Sequence, residues 1–222
     1  MKGINDYFKE LSTEDIDAGV HRDFIGGHWD LLGKLQLDFM RDQGLKPDQK
    51  VLDIGCGALR AGIPLTNYLN ATCYYGTDVN ESLIEAAHIE LVTSDLASKN
   101  PVLRVDKNFE LGRLNAEFDF ILAQSLFTHL FSNHIIRCLV NVKRVMKPRG
   151  KFFASFLEAP EKAWLEPILH GTNGIVSQYD CDPFHQSIEE YEIFSDFAEL
   201  NVKYIGDWGH PRNAKMLLFT HK

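Results

Sequence analysis

Residues 51–80 read VLDIGCGALRAGIPLTNYLNATCYYGTDVN. Residues 51–54 are a short apolar run carrying one acid, Asp53, as expected of the buried first strand of a parallel sheet. Gly55 and Gly57 follow at once, and then a helical pattern through Ile63, Leu65 and Leu69. A second apolar run at 73–75 leads to Gly76 and Asp78. Strand, glycine turn, helix, strand, acid is half of a nucleotide-binding α/β unit.

The residue types suit that task. Gly55 can take dihedrals closed to other residues, and Gly57 has no side chain to keep a ligand off the backbone. The helix start behind them offers unpaired N–H groups and a positive dipole end. Asp78, 21 residues after Gly57, is placed to accept hydrogen bonds from ribose hydroxyls, with Val79 and Asn80 beside it. An adenosine pocket is the expectation.

Spacing separates the possible cofactors. A dinucleotide fingerprint has a third glycine three residues after the second; here that position is Arg60, and Gly62 comes too late. No Gly-Lys-Ser/Thr follows, so a phosphate loop is also excluded. The form V-L-D-I-G-C-G resembles the first motif of the class I methyltransferases that use S-adenosyl-L-methionine. The resemblance implies that Asp53 lies near the amino-acid end of that cofactor and that the Gly55–Cys56–Gly57 loop passes under its methionine part. A degenerate NAD-binding unit is the other reading of this stretch.

At 222 residues the chain fits one domain with a sizeable core. A net charge of −8 gives no help to binding nucleic-acid backbones and favours a small, diffusible substrate. Cys56, Cys73, Cys138 and Cys181 are too far apart for a close metal-ligand pair, so no metal is expected. The N-terminal stretch MKGINDYFKELSTED has no signal-like apolar core, and no stretch is long enough to cross a membrane, which points to the cytoplasm. The sequence leaves the oligomeric state open, a homodimer included.

Outward from 51–80, an N-terminal helical cap is expected over 1–45. It comprises an acidic helix at 4–18 and an amphipathic helix with Leu31, Leu35, Phe39 and Met40 inward, ended by Gly44. Before that second helix, Gly26, Gly27, His28 and Trp29 form a turn. Trp29 either closes over cofactor and substrate or is buried for packing. A helix is expected at 81–97 with Leu83, Ile84, Ala87 and Leu91 inward, then a strand at 101–105. Phe109 follows, able to stack on an adenine or to fill core. The fourth strand is 118–123, with Gln124 and Ser125 at its end. Ser132 is the expected cap of a helix to about 147, whose inner face is Ile135, Ile136, Leu139, Val142 and Met146. Pro148, Arg149 and Gly150 then break the chain before a strand at 151–157.

Residues 158–186 are a long irregular insertion, and loops of that length tend to be functional. Ser187 caps a helix running to 200, with Glu190 reaching back and Ile193, Phe194, Phe197 and Leu200 inward. Strands at 202–205 and 215–219 pair as an antiparallel hairpin. The expected fold class is α/β: a Rossmann-like, seven-stranded, mostly parallel sheet with helices on both faces and an antiparallel last strand. A single domain over 1–222 would hold it.

Ligands of open parallel sheets lie beyond the C-terminal strand ends. Methyl transfer needs an aligned nucleophile and, for a hydroxyl, a base. His129, just past the fourth strand among Phe127, Leu130 and Phe131, is the first candidate base, against a purely structural histidine. His185 and Gln186 in DCDPFHQS come second, and His210 and Arg212 in GDWGHPRNAK third. Arg212 suits an acidic substrate group and Trp208 a sugar ring, unless GDWGHPR is a rigid hairpin whose groups satisfy one another. The stretches GCGALRAGIPLTNYL, AQSLFTHL and YIGDWGHPRNAKMLLF resemble a subgroup of class I methyltransferases associated with surface polysaccharides, glycans and small secondary products. That resemblance implies O-methylation of a sugar, nucleotide-linked sugar or similar polar metabolite; Gln124, at the C-terminal end of the fourth strand, is a candidate cofactor contact. An amine, protein or RNA acceptor, or a non-catalytic cofactor-binding protein, is the alternative.

Overall fold

The structure is a computed structural model that describes residues 9–160, 162–171 and 174–222. Two compact units divide them, one within 6–108 and one within 109–222.

The first unit contains α1 (Thr13–Asp17), α2 (Val20–Phe24), α3 (Trp29–Asp42), β1 (Val51–Ile54), α4 (Gly62–Tyr68), β2 (Tyr74–Asp78), α5 (Glu81–Thr93) and β3 (Val102–Val105). The three strands are parallel in the order β3-β2-β1. Every residue of β1 and β2 is buried, the pattern of parallel strands covered on both faces. The register sets Asp53 beside Gly76 and Ile54 beside Thr77, so the acid of the first strand and the glycine of the second are neighbours.

The N-terminal cap differs from expectation in two ways. The helix expected at 4–18 is observed as α1, opened by a reciprocal Ser12–Asp15 capping box; residues 4–8 of that expectation lie outside the described residues. Gly19, at φ 76°, separates α1 from α2. The buried face of α3 is Leu32, Gly33, Gln36 and Met40, whereas Leu31 is 59% exposed. Gly33 explains the rotation: a Cβ there would stand 2.5 Å from the Arg60 carbonyl oxygen, so the helix lies on its glycine. On α5 the four expected inward residues are all buried, although the helix ends at Thr93.

The second unit contains β4 (Phe118–Ala123), α6 (Ser132–Val145), β5 (Met146–Phe156), β6 (Ile168–His170), β7 (Ile175–Ser177), α7 (Ile188–Phe197), β8 (Leu200–Asp207) and β9 (Lys215–His221). Strand β4 is parallel to β5, and β9 runs antiparallel to both β5 and β8. The larger strands of the two units number seven, with the last reversed.

Several local expectations are corrected here. Phe131, not Ser132, is the N-cap of α6 and makes no side-chain cap bond. Pro148–Gly150 do not break the chain: β5 starts at Met146, and its pairing passes from Phe118↔Met146 to Phe120↔Lys151 through a bulge. Gly150 closes that bulge, since a Cβ would meet Met146 Cγ at 2.5 Å and the Lys147 carbonyl at 2.9 Å. The Ser187–Glu190 capping box is present, but Ile193 and Phe197 are 56% and 68% exposed. Tyr191 is buried in their place, within 6.0 Å ring-centroid distance of Phe127, Phe156 and Phe194.

The insertion at 158–186 holds a small antiparallel hairpin, β6 with β7, paired Ile168↔Ser177, Leu169↔Val176 and His170↔Ile175. Gly174 permits its turn, because a Cβ there would fall 1.1 Å from the His170 carbonyl oxygen. Gly174→Ala should therefore open this hairpin while leaving the main sheet intact. Hydrogen exchange should show protection lost over 168–177 alone; unchanged protection there would refute the assignment.

Candidate active site

In the first unit the glycine turn is held by the end of β2. The N–H groups of Gly55 and Cys56 both donate to the Thr77 carbonyl, at 2.7 and 3.0 Å. Asp78 accepts from the Gly57 N–H at 2.8 Å through one oxygen and from the Asn80 N–H at 2.9 Å through the other. The Val79 N–H also acts on this carboxylate, whose two oxygens offer about four acceptor sites, so it can still accept from a hydroxyl. Burial pushes its carboxyl up, and those N–H bonds pull the other way. Gly55 and Gly57 both have positive φ, 74° and 52°. The turn is also crowded: a Cβ on Gly76 would lie 2.9 Å from Cys56 Sγ.

Asp53 is fully enclosed and accepts a 2.9 Å hydrogen bond from the Tyr74 hydroxyl. Burial raises its carboxyl first, the Tyr74 bond opposes this, and the Asp78 charge raises it further, to about 7. Two acids are thus buried within one strand–turn–strand unit, each costly to ionise.

The N-terminal segment is tied to this unit. Arg60, at the position where a dinucleotide fold has its third glycine, donates to the carbonyls of Ile25 at 2.9 Å and Gly27 at 3.1 Å. Asn80 caps α5 by accepting from the Leu83 N–H, and donates to the Lys9 carbonyl at 2.9 Å. Glu90 bonds both His21 and Arg22; burial raises its carboxyl, but those two partners outweigh burial and hold it below the ordinary range. Trp29 packs beside the cluster of Leu11, Ile16, Ala58, Leu83 and Ala86. The Arg22 guanidinium lies 4.8 Å over its ring. Those contacts are the packing alternative for Trp29. Val79 is half-buried beside Asp78, and Phe109 is half-buried at φ 57°.

In the second unit, His129 ends a one-turn 3-10 helix, Phe127–His129, just beyond β4. Its Nδ1 is hydrogen-bonded to the Asp182 carboxylate, and both side chains are 18% exposed. A carboxylate only accepts, so Nδ1 carries the hydrogen and Nε2 is the basic nitrogen. Asp182 was not among the candidates the sequence offered, because the partners are 53 residues apart.

His185 has a different setting. Its Nε2 donates to the Trp164 carbonyl at 2.9 Å and its Nδ1 meets Ser177 Oγ at 2.8 Å, so both ring nitrogens are engaged inside the insertion. Gln186 is buried too: its side-chain oxygen accepts from the Tyr191 hydroxyl at 3.1 Å, and its backbone bonds Leu157 and Ala159. His210 accepts the Arg212 N–H on Nδ1 at 3.2 Å and has Nε2 3.3 Å from the Gln124 amide. Trp208 donates to the Ala214 carbonyl at 2.9 Å and lies 5.4 Å from the His210 ring. The GDWGHPR turn thus satisfies many of its own groups.

Residues 52–152 match the family described as the methyltransferase domain. This stretch, a little under half of the chain, is similar to that domain. The likeness supports an enzyme whose cofactor is S-adenosyl-L-methionine. A highly reducing polyketide synthase of Cordyceps militaris is 31% identical over 121 residues, or 51% of this chain. The chain spans only 5% of the length of that relative. Among solved structures, an S-adenosylmethionine-dependent methyltransferase from Clostridium acetobutylicum superposes with a TM-score of 0.70 at 13% identity, covering 95% of this chain and 99% of the other. Magnesium protoporphyrin IX methyltransferase from Synechocystis, with the cofactor bound, gives 0.63 at 13% identity, covering 97% and 88%. The fold is therefore the seven-stranded, mostly parallel, Rossmann-like fold of class I methyltransferases, with one antiparallel strand.

The donor set of this stretch suits that cofactor. S-adenosyl-L-methionine carries positive charge on its sulfonium and its ammonium, and the buried acid Asp53 is the group that such charge would relieve. Asp53 would hold the amino-acid end and Asp78 the ribose hydroxyls, with Gly55, Cys56 and Gly57 leaving the backbone open to approach. Among the described residues, no helix is long and apolar enough to cross a membrane.

Proposed function

We propose that the whole protein is an S-adenosyl-L-methionine-dependent O-methyltransferase whose acceptor is a hydroxyl of a sugar, nucleotide-linked sugar or similar small polar metabolite. The observation that carries this reading is the His129–Asp182 pair. A neutral hydroxyl is a weak nucleophile and needs a base as it attacks, whereas a free amine does not. The bound cofactor supplies the electrophilic methyl group. His129 Nε2 would take the hydroxyl proton as the C–O bond forms and the methyl–sulfur bond breaks to leave S-adenosylhomocysteine, and Asp182 would stabilise the resulting imidazolium. Phe127, fully buried behind the same turn, fixes the backbone from which His129 projects. The net charge of −8 supports a substrate other than nucleic acid. The motif set resembling glycan-associated enzymes supports a cytoplasmic place in polysaccharide synthesis, with no membrane partner.

The polyketide synthase likeness favours a second reading, in which the acceptor is an acidic carbon of a ketide-like chain. That acceptor also needs a base, so His129 serves either reading.

Calorimetric titration of S-adenosyl-L-methionine, S-adenosylhomocysteine and NAD, with Asp78→Ala alongside, tests the cofactor. Binding of the first two, weakened at least tenfold by the substitution, is expected; preference for NAD would overturn the reading. Methyl-labelled cofactor offered with sugars, nucleotide-sugars and β-keto thioesters then separates the acceptors. Label entering only the thioesters would replace the hydroxyl reading with the carbon one.

A further inference from the structure

The insertion at 158–186 contains a buried hydrogen-bonded chain that the methyl-transfer reading does not use. His170, Ser177 and His185 are 4%, 0% and 5% exposed. Ser177 Oγ lies 2.7 Å from His170 Nε2 and 2.8 Å from His185 Nδ1, and His185 Nε2 is 2.9 Å from the Trp164 carbonyl oxygen. For two neutral imidazoles, bonding capacity fixes the direction of every bond in this chain. The Trp164 carbonyl only accepts, so His185 carries its hydrogen on Nε2. Its Nδ1 then accepts the Ser177 hydroxyl, and Ser177 Oγ in turn accepts the Nε2–H of His170. That one arrangement satisfies all three side chains. Burial, then the neighbouring His185 and Lys215, lower His170 to about 4, in keeping with that neutral form.

The chain closes a loop. Ser177 and His185 are the two ends of a segment whose backbone is also clasped: Gln178 N–H donates to the Pro183 carbonyl at 2.9 Å and His185 N–H to the Gln178 carbonyl at 3.2 Å. Within that clasp lies Asp182, on His129. The far side of the loop is pinned to the same turn as His129, because Phe184 N–H donates to the Thr128 carbonyl at 2.7 Å and the Phe184 ring lies 5.1 Å from Phe131. Asp182 therefore meets the imidazole from a segment held on both sides.

We propose that Ser177 and His185 are positioning residues: their side-chain bond closes the 177–185 loop and so holds Asp182 against Nδ1 of His129. His185, a candidate base on sequence grounds, acts through Asp182 rather than on the acceptor. The catalytic meaning of this contact rests on the reading of His129 as the base, but the contact itself does not. Each reading can fail without the other.

The test is 15N NMR of histidine-labelled protein at pH 8, which reports which ring nitrogen of His129 carries hydrogen, without substrate. The wild-type protein should show His129 chiefly as the Nδ1–H form, and Asp182→Asn should convert it to the Nε2–H form usual in water. Ser177→Ala should produce the same conversion although it touches neither residue, while Ser177→Thr, which keeps the hydroxyl, should restore the Nδ1–H form. Leu169→Ser, on the exposed face of the same hairpin, should change nothing. In turnover, Ser177→Ala should lower kcat about tenfold with KM unchanged, the mark of a positioning loss. If Ser177→Ala does not fold, His185→Gln gives the same readout. A folded variant of either kind that keeps His129 in the Nδ1–H form overturns the proposal. A tautomer change together with full activity in His129→Ala would instead sink the base assignment and leave the loop closure standing.

Discussion

Asp53→Asn should raise the thermal midpoint of the cofactor-free protein by at least about 5 °C at pH 8 while weakening S-adenosyl-L-methionine binding more than tenfold. The Asp53 carboxyl is raised from its ordinary value to about 7, chiefly by burial. A buried acid raised in this way contributes stability below its unfolded pKa, near 4, and loses it as pH climbs through 7. The size of that loss is on the order of 4 kcal/mol, and each kcal/mol shifts the midpoint of a chain this long by about 2–4 °C. Asparagine keeps an oxygen for the Tyr74 hydroxyl and removes the charge, so the variant escapes the loss. At pH 4.5 its advantage should nearly vanish. A wild-type midpoint that stays level between pH 5 and 8 would contradict this account. Cofactor binding should also release protons below pH 7, as the incoming positive charge ionises Asp53, and calorimetry in buffers of different ionisation enthalpy measures that release. Stability and function oppose each other at this one side chain.

His129→Ala should reduce kcat by about 10²–10⁴ with a thermal midpoint near that of the wild type, the usual contribution of a positioned general base. The ring is only partly enclosed and its main partner is Asp182, so removing it opens little core. Asp182→Asn should cost about 10² in kcat, because an amide can donate to Nδ1 and so favour the wrong tautomer. The two losses should not add, since both disable one unit. Cofactor affinity should be unchanged in both variants, which separates them from Asp53→Asn. An Ala variant with wild-type turnover on a hydroxyl acceptor would assign the proton to another group.

Much of the architecture follows from local pattern. The alternation of apolar runs, glycines and acids in 51–80 specifies β1, the turn and β2, because parallel strands buried on both faces must be continuously apolar. The reciprocal Ser187–Glu190 cap is legible for a similar reason: both bonds lie within four residues. Helix faces were less secure. Leu31, Ile193 and Phe197 fit the helical period yet stand exposed, since the period leaves the rotation of a helix open until its neighbour is known. Gly33 against the Arg60 carbonyl and Tyr191 among three rings settle that rotation.

The glycine turn with Asp53 and Asp78, and the place of His129 after the fourth strand, are legible in the amino-acid pattern alone. The partner of each of these groups emerges only on folding. Asp182 reaches His129 across 53 residues, Arg60 reaches Ile25 across 35, and Tyr74 reaches Asp53 across 21. Only there does His185 leave the list of bases, with both nitrogens taken within the insertion. The physical reason is range. Periodicity and capping act over one or two turns of chain, whereas the charge and tautomer of a buried group are set by whatever distant segment packs against it.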